Sequence, residues 1–113
     1  MSDQTLQDLP LRVRDLILAT LQIFVDEGPR GLATRGLFPE DQVAVADERC
    51  ADFGSKFRIP PAGAIVYAYR HDDCYDVELP LWLQGEDDRC DLFIFLEVNP
   101  AVGIARMWDL RVP

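Results

Sequence analysis

Between Leu9 and Phe24 the apolar residues Leu9, Val13, Leu16, Ile17, Thr20 and Phe24 fall on one face at helical spacing. Asp8, Arg12, Asp15, Ala19, Gln22 and Asp26 mark the opposite, mostly polar face. This is the 3.6-residue period of an amphipathic helix. Leu11, Leu18, Leu21 and Val25 widen the apolar arc, so the helix is expected to be clasped on more than one side. Pro10 suits the first turn, where its missing N–H would have no partner anyway. Gly28-Pro29 supplies the stop. Residues 30–38, broken by Gly31 and Gly36, read as a connection with room for one helical turn. A second helix begins at Pro39, carries Glu40 and Asp41 in its first turn, and closes at Gly54. Its apolar face is Val43, Ala46, Cys50 and Phe53.

After Ile59-Pro60-Pro61 the period drops to two. Residues 64–69 form a β-rich run that turns at His71-Asp72-Asp73. Tyr75, Val77, Leu79, Leu81 and Leu83 fall at every second position, and so do Leu92, Ile94, Leu96 and Val98, each the mark of a strand with one buried face. Turns over residues 84–89 and at Asn99-Pro100 lead to a last strand, residues 104–112. The prediction is an α+β domain spanning residues 1–113, two N-terminal helices packed on a four-stranded antiparallel meander. Centring the 84–89 turn pairs Leu81 with Leu92, Leu79 with Ile94 and Val77 with Leu96, an aliphatic face for the helices to cover. The opposite face then carries Asp76, Glu78, Pro80 and Trp82 beside Asp91, Phe93, Phe95 and Glu97. Met107, Asp109 and Arg111 join it from the last strand, with Arg111 across from Asp91. A slip of one residue would invert every assignment.

Charge narrows the partners. The chain has 113 residues, 20 acids against 11 bases, and a net charge of −9. A nucleic-acid or anionic-membrane binder needs a cationic footprint, so neither is expected. The N-terminus lacks the basic start and apolar run of a secretory signal, and residues 16–25 are too short a stretch to span a bilayer. Cys50, Cys74 and Cys90 are odd in number and without a C-x-x-C spacing, which suits reduced thiols in a cytoplasm. Ten Arg against one Lys suggests a GC-rich bacterial coding sequence.

Candidate chemistry is sparse. His71-Asp72-Asp73-Cys74 places potential ligands contiguously, where a metal site needs three or four converging ones; a solvated turn explains them better. Glu86-Asp87-Asp88 with Asp91 lacks the alternating spacing of a calcium loop. Ser2 and Ser55 stand outside any nucleophile motif, and Cys50 and Cys90 fall in apolar patterns. Asp76 and Glu97, as cross-strand neighbours, keep paired-carboxylate chemistry formally open. No glycine-rich phosphate loop is present, and no cofactor is predicted.

The ordered series Pro60-Pro61, Leu81-Trp82, Gly85-Glu86, Asp88-Arg89-Cys90-Asp91-Leu92 and Asp109-Leu110-Arg111-Val112 resembles an uncharacterised family of small bacterial cytoplasmic proteins. The likeness covers residues 59–113, and the helices match by pattern only. A His often stands in that family where this chain has Arg111, which weakens any role carried over to that position. The resemblance implies a cystatin-like roll, with helices held against a curved sheet, and implies no activity.

An aromatic patch ringed by carboxylates on a sheet face is the mark of an interaction surface. The leading expectation is a non-catalytic protein-interaction domain, most concretely an immunity-type inhibitor of a cationic toxin or effector. Its partner-binding residues are Asp76, Glu78, Trp82, Asp91, Phe93, Phe95 and Glu97. The alternative is a small-molecule-binding or enzymatic roll, with a pocket between the first helix and the sheet lined by residues such as Phe24 and Leu79. A homodimer through the aromatic face is the third option.

Overall fold

The computed structural model describes residues 4–54 and 56–113. A two-residue strand β1 (Gln4–Thr5) leads into a 3-10 turn over Leu6–Asp8, where Asp8 Oδ2 accepts from Thr5 N and Thr5 Oγ1 at 3.0 and 2.8 Å. Helix α1 (Leu11–Thr34) buries Val13, Ile17, Thr20 and Phe24 of the expected face and Leu21 of the widened arc, while Leu11 of that arc is exposed. Leu16 is only partly buried, and Thr20 is accommodated by donating its hydroxyl to Leu16 O at 2.8 Å. The stop at Gly28 is real but local. Gly28 adopts φ 71°, ψ −168°, and the helix resumes at Pro29 to bury Leu32 and Ala33. The stretch read as a broken connection is therefore helical over residues 29–34: Pro29 fits a first helical position, and Gly31 is needed because any side chain there would strike Cβ of Glu27.

A 3-10 turn over Glu40–Gln42 precedes α2 (Val43–Asp52), which turns Val43, Ala46 and Cys50 inward. Its α-helical part thus starts four residues after Pro39, and Gly54 follows its end.

Among the described residues the sheet has six antiparallel strands, two more than predicted. Beyond β1 they are β2 (Phe57–Arg58), β3 (Ile65–His71), β4 (Cys74–Leu83), β5 (Arg89–Asn99) and β6 (Ile104–Arg111). The predicted meander is β3-β4-β5-β6. The additions are β1, which pairs Gln4 with Val66 and Thr5 with Ile65, and β2, which pairs Phe57 with Leu83 and Arg58 with Trp82. Both β2 and β3 run along the same edge of β4, with the Pro60-Pro61 segment looped out between them because prolines cannot donate to a ladder. Pro80 of β4 lies between those two partners, beside a register shift from Pro80↔Phe93 to Trp82↔Arg89.

The strand parity holds. Val77 pairs with Leu96 and Leu79 with Ile94, and these four, with Leu81, Leu92 and Val98, are buried with the inner residues of α1 and α2. Each such side chain contributes about 1.5–3 kcal/mol on burial. The last strand departs from expectation. A bulge shifts its register from Phe95↔Asp109 to Leu96↔Met107, so Met107 is fully buried among the core residues and Trp108 lies outside. Arg111 pairs with Phe93, not Asp91. The outer edge of β6 is closed in part by the connection after α1 and by α2: Met107 N donates to Leu37 O at 2.9 Å, and Arg49 Nη1 donates to Leu110 O at 2.8 Å. Covering an edge this way blocks stray strand pairing. Among the described residues, no helix is long and apolar enough to cross a membrane.

Candidate interaction surface

Four strands present the helix-free face, and their register orders it into rows. One row crosses Tyr69, Asp76, Glu97 and Arg106. The next crosses Tyr67, Glu78, Phe95 and Asp109, with Trp108 at the bulge. Pro80, Phe93 and Arg111 follow, and then Arg58, Trp82 and Arg89. All seven residues singled out from the sequence lie on this face or at its rim, with Asp91 exposed at the β5 end next to Phe93.

The aromatic part is not bare, and arginines as well as the acids Glu78 and Asp109 border it. Phe95 is 2% exposed and Phe93 8%. Tyr67 stacks beside Phe93 at 6.3 Å between centroids, Phe93 and Phe95 are 6.4 Å apart, and Trp108 leans on Phe95 at 5.4 Å. Three guanidinium groups lie over the rings: Arg58 over Trp82 at 4.8 Å, Arg89 over Phe93 at 5.9 Å and Arg111 over Phe95 at 4.6 Å. Each is a cation held against a ring's negative face. Arg111 is also paired with Asp109 at 2.9 Å, and Arg58 Nη2 donates to Glu86 O at 3.3 Å. Among the described residues the Arg89 guanidinium has no hydrogen-bond or ion-pair partner. The exposed rings of this face are instead Trp108, 46% exposed, and Tyr69, 42% exposed. Neither was picked out from the sequence. Trp108 was legible in principle, because the inward positions Ala105, Met107 and Leu110 step by two and then three, and a step of three in a strand announces a bulge.

The carboxylates gather at the other end. Asp76 and Glu97 are direct cross-strand partners, and Glu78 lies two residues along β4. All three are half-buried. His71 Nε2 is 2.9 Å from Asp76 Oδ2, while Glu78 and Glu97 form no ion pair within 4 Å among the described residues. Cys74, in the next row, registers this environment: burial raises its thiol pKa, and Glu97, Asp73, Asp76 and Asp72 raise it further. The His71-Cys74 segment is a two-residue turn, with Asp72 in the left-handed region at φ 51°.

On the helical side, the pocket sought beneath α1 is filled. Phe24 and Leu79 are core residues, and Thr20 is the one buried polar residue among those described, so no carboxylate is enclosed there. The cavity found nearest to Phe24 is a surface groove of about 370 Å³ at the kink, beside Gly28, Pro29 and Cys50. Burial, with Asp47 and Cys90 nearby, pushes the Cys50 thiol up to about 12, which makes it a poor nucleophile. Ser2 and Ser55 lie outside the described residues. Compared with protein-family models, curated proteins and solved structures, the chain matches none.

Proposed function

We propose that this chain is a non-catalytic protein-interaction domain with a cystatin-like roll, acting as an immunity-type inhibitor of a basic toxin or effector in a bacterial cytoplasm. The observation that carries the proposal is the carboxylate group Asp76, Glu97 and Glu78 on the sheet face that no helix covers. Like charges directly opposite one another cost a sheet stability, and a cation from a partner recovers that cost. The exposed rings of Tyr69 and Trp108 stand beside the carboxylates as anchors, a combination of aromatic contact and complementary charge common in tight interfaces. The net charge of −9 steers a basic partner toward the molecule.

Calorimetric titration against the protein encoded beside its gene tests this reading. Association is expected at about 50 mM salt and is weakened strongly at about 500 mM, where the screening length drops to a few ångströms. The double variant Asp76→Asn/Glu97→Gln should weaken it at least about tenfold. No association, or one indifferent to salt and to this variant, overturns the proposal.

A further inference from the structure

A groove of about 390 Å³ opens where α1 begins, away from the uncovered sheet face. Leu6, Leu18, Ile59 and Pro60 make its apolar walls, and Arg14 and Asp15 line it from α1. The walls are set before any ligand arrives. Leu6 N and Gln7 N donate to Ala64 O and Ala62 O at 3.1 and 3.2 Å, which pins the 3-10 turn to the Pro60-Pro61 segment, where the proline rings fix φ. Leu18 and Ile59 pack one side against the core and turn another to the groove. Arg14 is half-buried and Asp15 exposed. Among the described residues, neither side chain has a hydrogen bond or an ion pair, with the other or with any neighbour. The charged residues next along the chain are engaged elsewhere. Asp8 accepts from Thr5, Arg12 donates to Pro100 O at 3.4 Å, and Arg58 donates to Ile59 O and Glu86 O while lying over Trp82.

We infer that this groove binds a free α-amino acid with a large apolar side chain. Its volume lies near the small end of ligand sites, which run from roughly 300 to 1,000 Å³, so the occupant is a small molecule. The apolar walls take the side chain. A half-buried guanidinium without a partner calls for a carboxylate, which it can hold through two N–H groups at once. Asp15, on the next residue, would repel a ligand that carried a carboxylate alone. An ammonium on the same ligand removes that repulsion and gives Asp15 its own partner. Opposite charges on successive residues, kept apart from each other, are therefore complementary to a zwitterion, whose ammonium and carboxylate hang from one carbon. The Gln7 amide, at the groove's edge, offers a further donor and acceptor to the same groups. None of these residues belongs to the sheet face assigned to the protein partner, so failure of either reading leaves the other untouched.

Heteronuclear NMR of the full chain, with L-leucine added to about 20 mM, is expected to shift the signals of Leu6, Leu18 and Ile59 with a Kd of about 0.1–1 mM, the range open to so small a ligand in an open groove. Three analogues each lack one contact: isocaproate the ammonium, isoamylamine the carboxylate, and glycine the side chain. Each should bind at least about tenfold more weakly than leucine. Arg14→Gln should erase the preference for leucine over isoamylamine, and Asp15→Asn the preference over isocaproate, because each variant removes one charge partner only. The analogue series on the unaltered protein reads the same contacts without relying on the fold of a variant. Leucine that moves none of these signals overturns the inference. So does N-acetyl-leucinamide, uncharged but with the same side chain, binding as tightly as leucine, which would make the groove a seat for apolar peptide segments. Preferences that both variants leave unchanged overturn it as well.

Discussion

At Cys50, α2 turns a thiol into the core, and burial first, then Asp47 and Cys90, move its pKa from 9.0 up to about 12. The folded protein therefore keeps this proton where the unfolded chain loses it. Folding stability from this group is intact below pH 9 and is lost as pH rises from there toward 12. Urea unfolding between pH 8 and 11 should show a stability that falls above pH 9, and a shallower fall in Cys50→Ala. The inward position of Cys50 was legible from its place in the Val43, Ala46, Cys50, Phe53 series. The nearness of Cys90 was not, because residues 40 apart meet only when α2 is laid on the sheet.

Among the elements, α1 shows best how a local signal can be right and still incomplete. Gly28-Pro29 announced an end, and the backbone does leave the helix there. Yet Leu32 and Ala33 have core positions to fill, and the chain re-enters a helix to fill them. The conformation at Gly28, φ 71° with ψ −168°, belongs to a region that only glycine occupies without strain. Gly28→Ala should therefore cost about 1–3 kcal/mol in chemical denaturation, although no atom stands within 4 Å of the added methyl. A change within a few tenths of neutral would show that the kink is not required. The strands β1 and β2 escaped the pattern for a simpler reason: two residues carry no period, and both exist only because β3 and β4 have edges to pair with.

The whole molecule is a sheet with one face under helices and the other dressed by its own arginines. The field at its acidic end can be read from Cys74, whose proton is held by burial and by Glu97, Asp73, Asp76 and Asp72. With neutral iodoacetamide at about pH 8, and mass spectrometry to resolve the three thiols, Cys74 should react slowly in low salt. Its rate should rise about two- to fivefold in 0.5 M salt or in Glu97→Gln, while the buried Cys50 stays inert. Equal rates in all these conditions would mean that the carboxylates exert no field on the face.

Periodicity alone determined which positions of α1, α2, β4 and β5 turn inward, because a helix repeats at 3.6 residues and a strand at two wherever one side is buried. Centring the 84–89 turn on that alternation set the Leu79–Ile94 register and, through that, the placement of Asp76 opposite Glu97, while the Leu81–Leu92 pair it implied is lost to the shift between Pro80 and Trp82. Tertiary structure decided what stands over the outer face. The bulge at Trp108 sends Met107 into the core, and the shift beside Pro80 sets Arg89 across from Trp82. Phe93 and Phe95 thereby lie beneath guanidinium groups, of Arg89 on the same strand and of Arg111 on the next, where the sequence pattern had pictured an open patch fringed by acids. Alternation reports which side a residue faces; its neighbours across a bulge depend on how the backbone closes the gap.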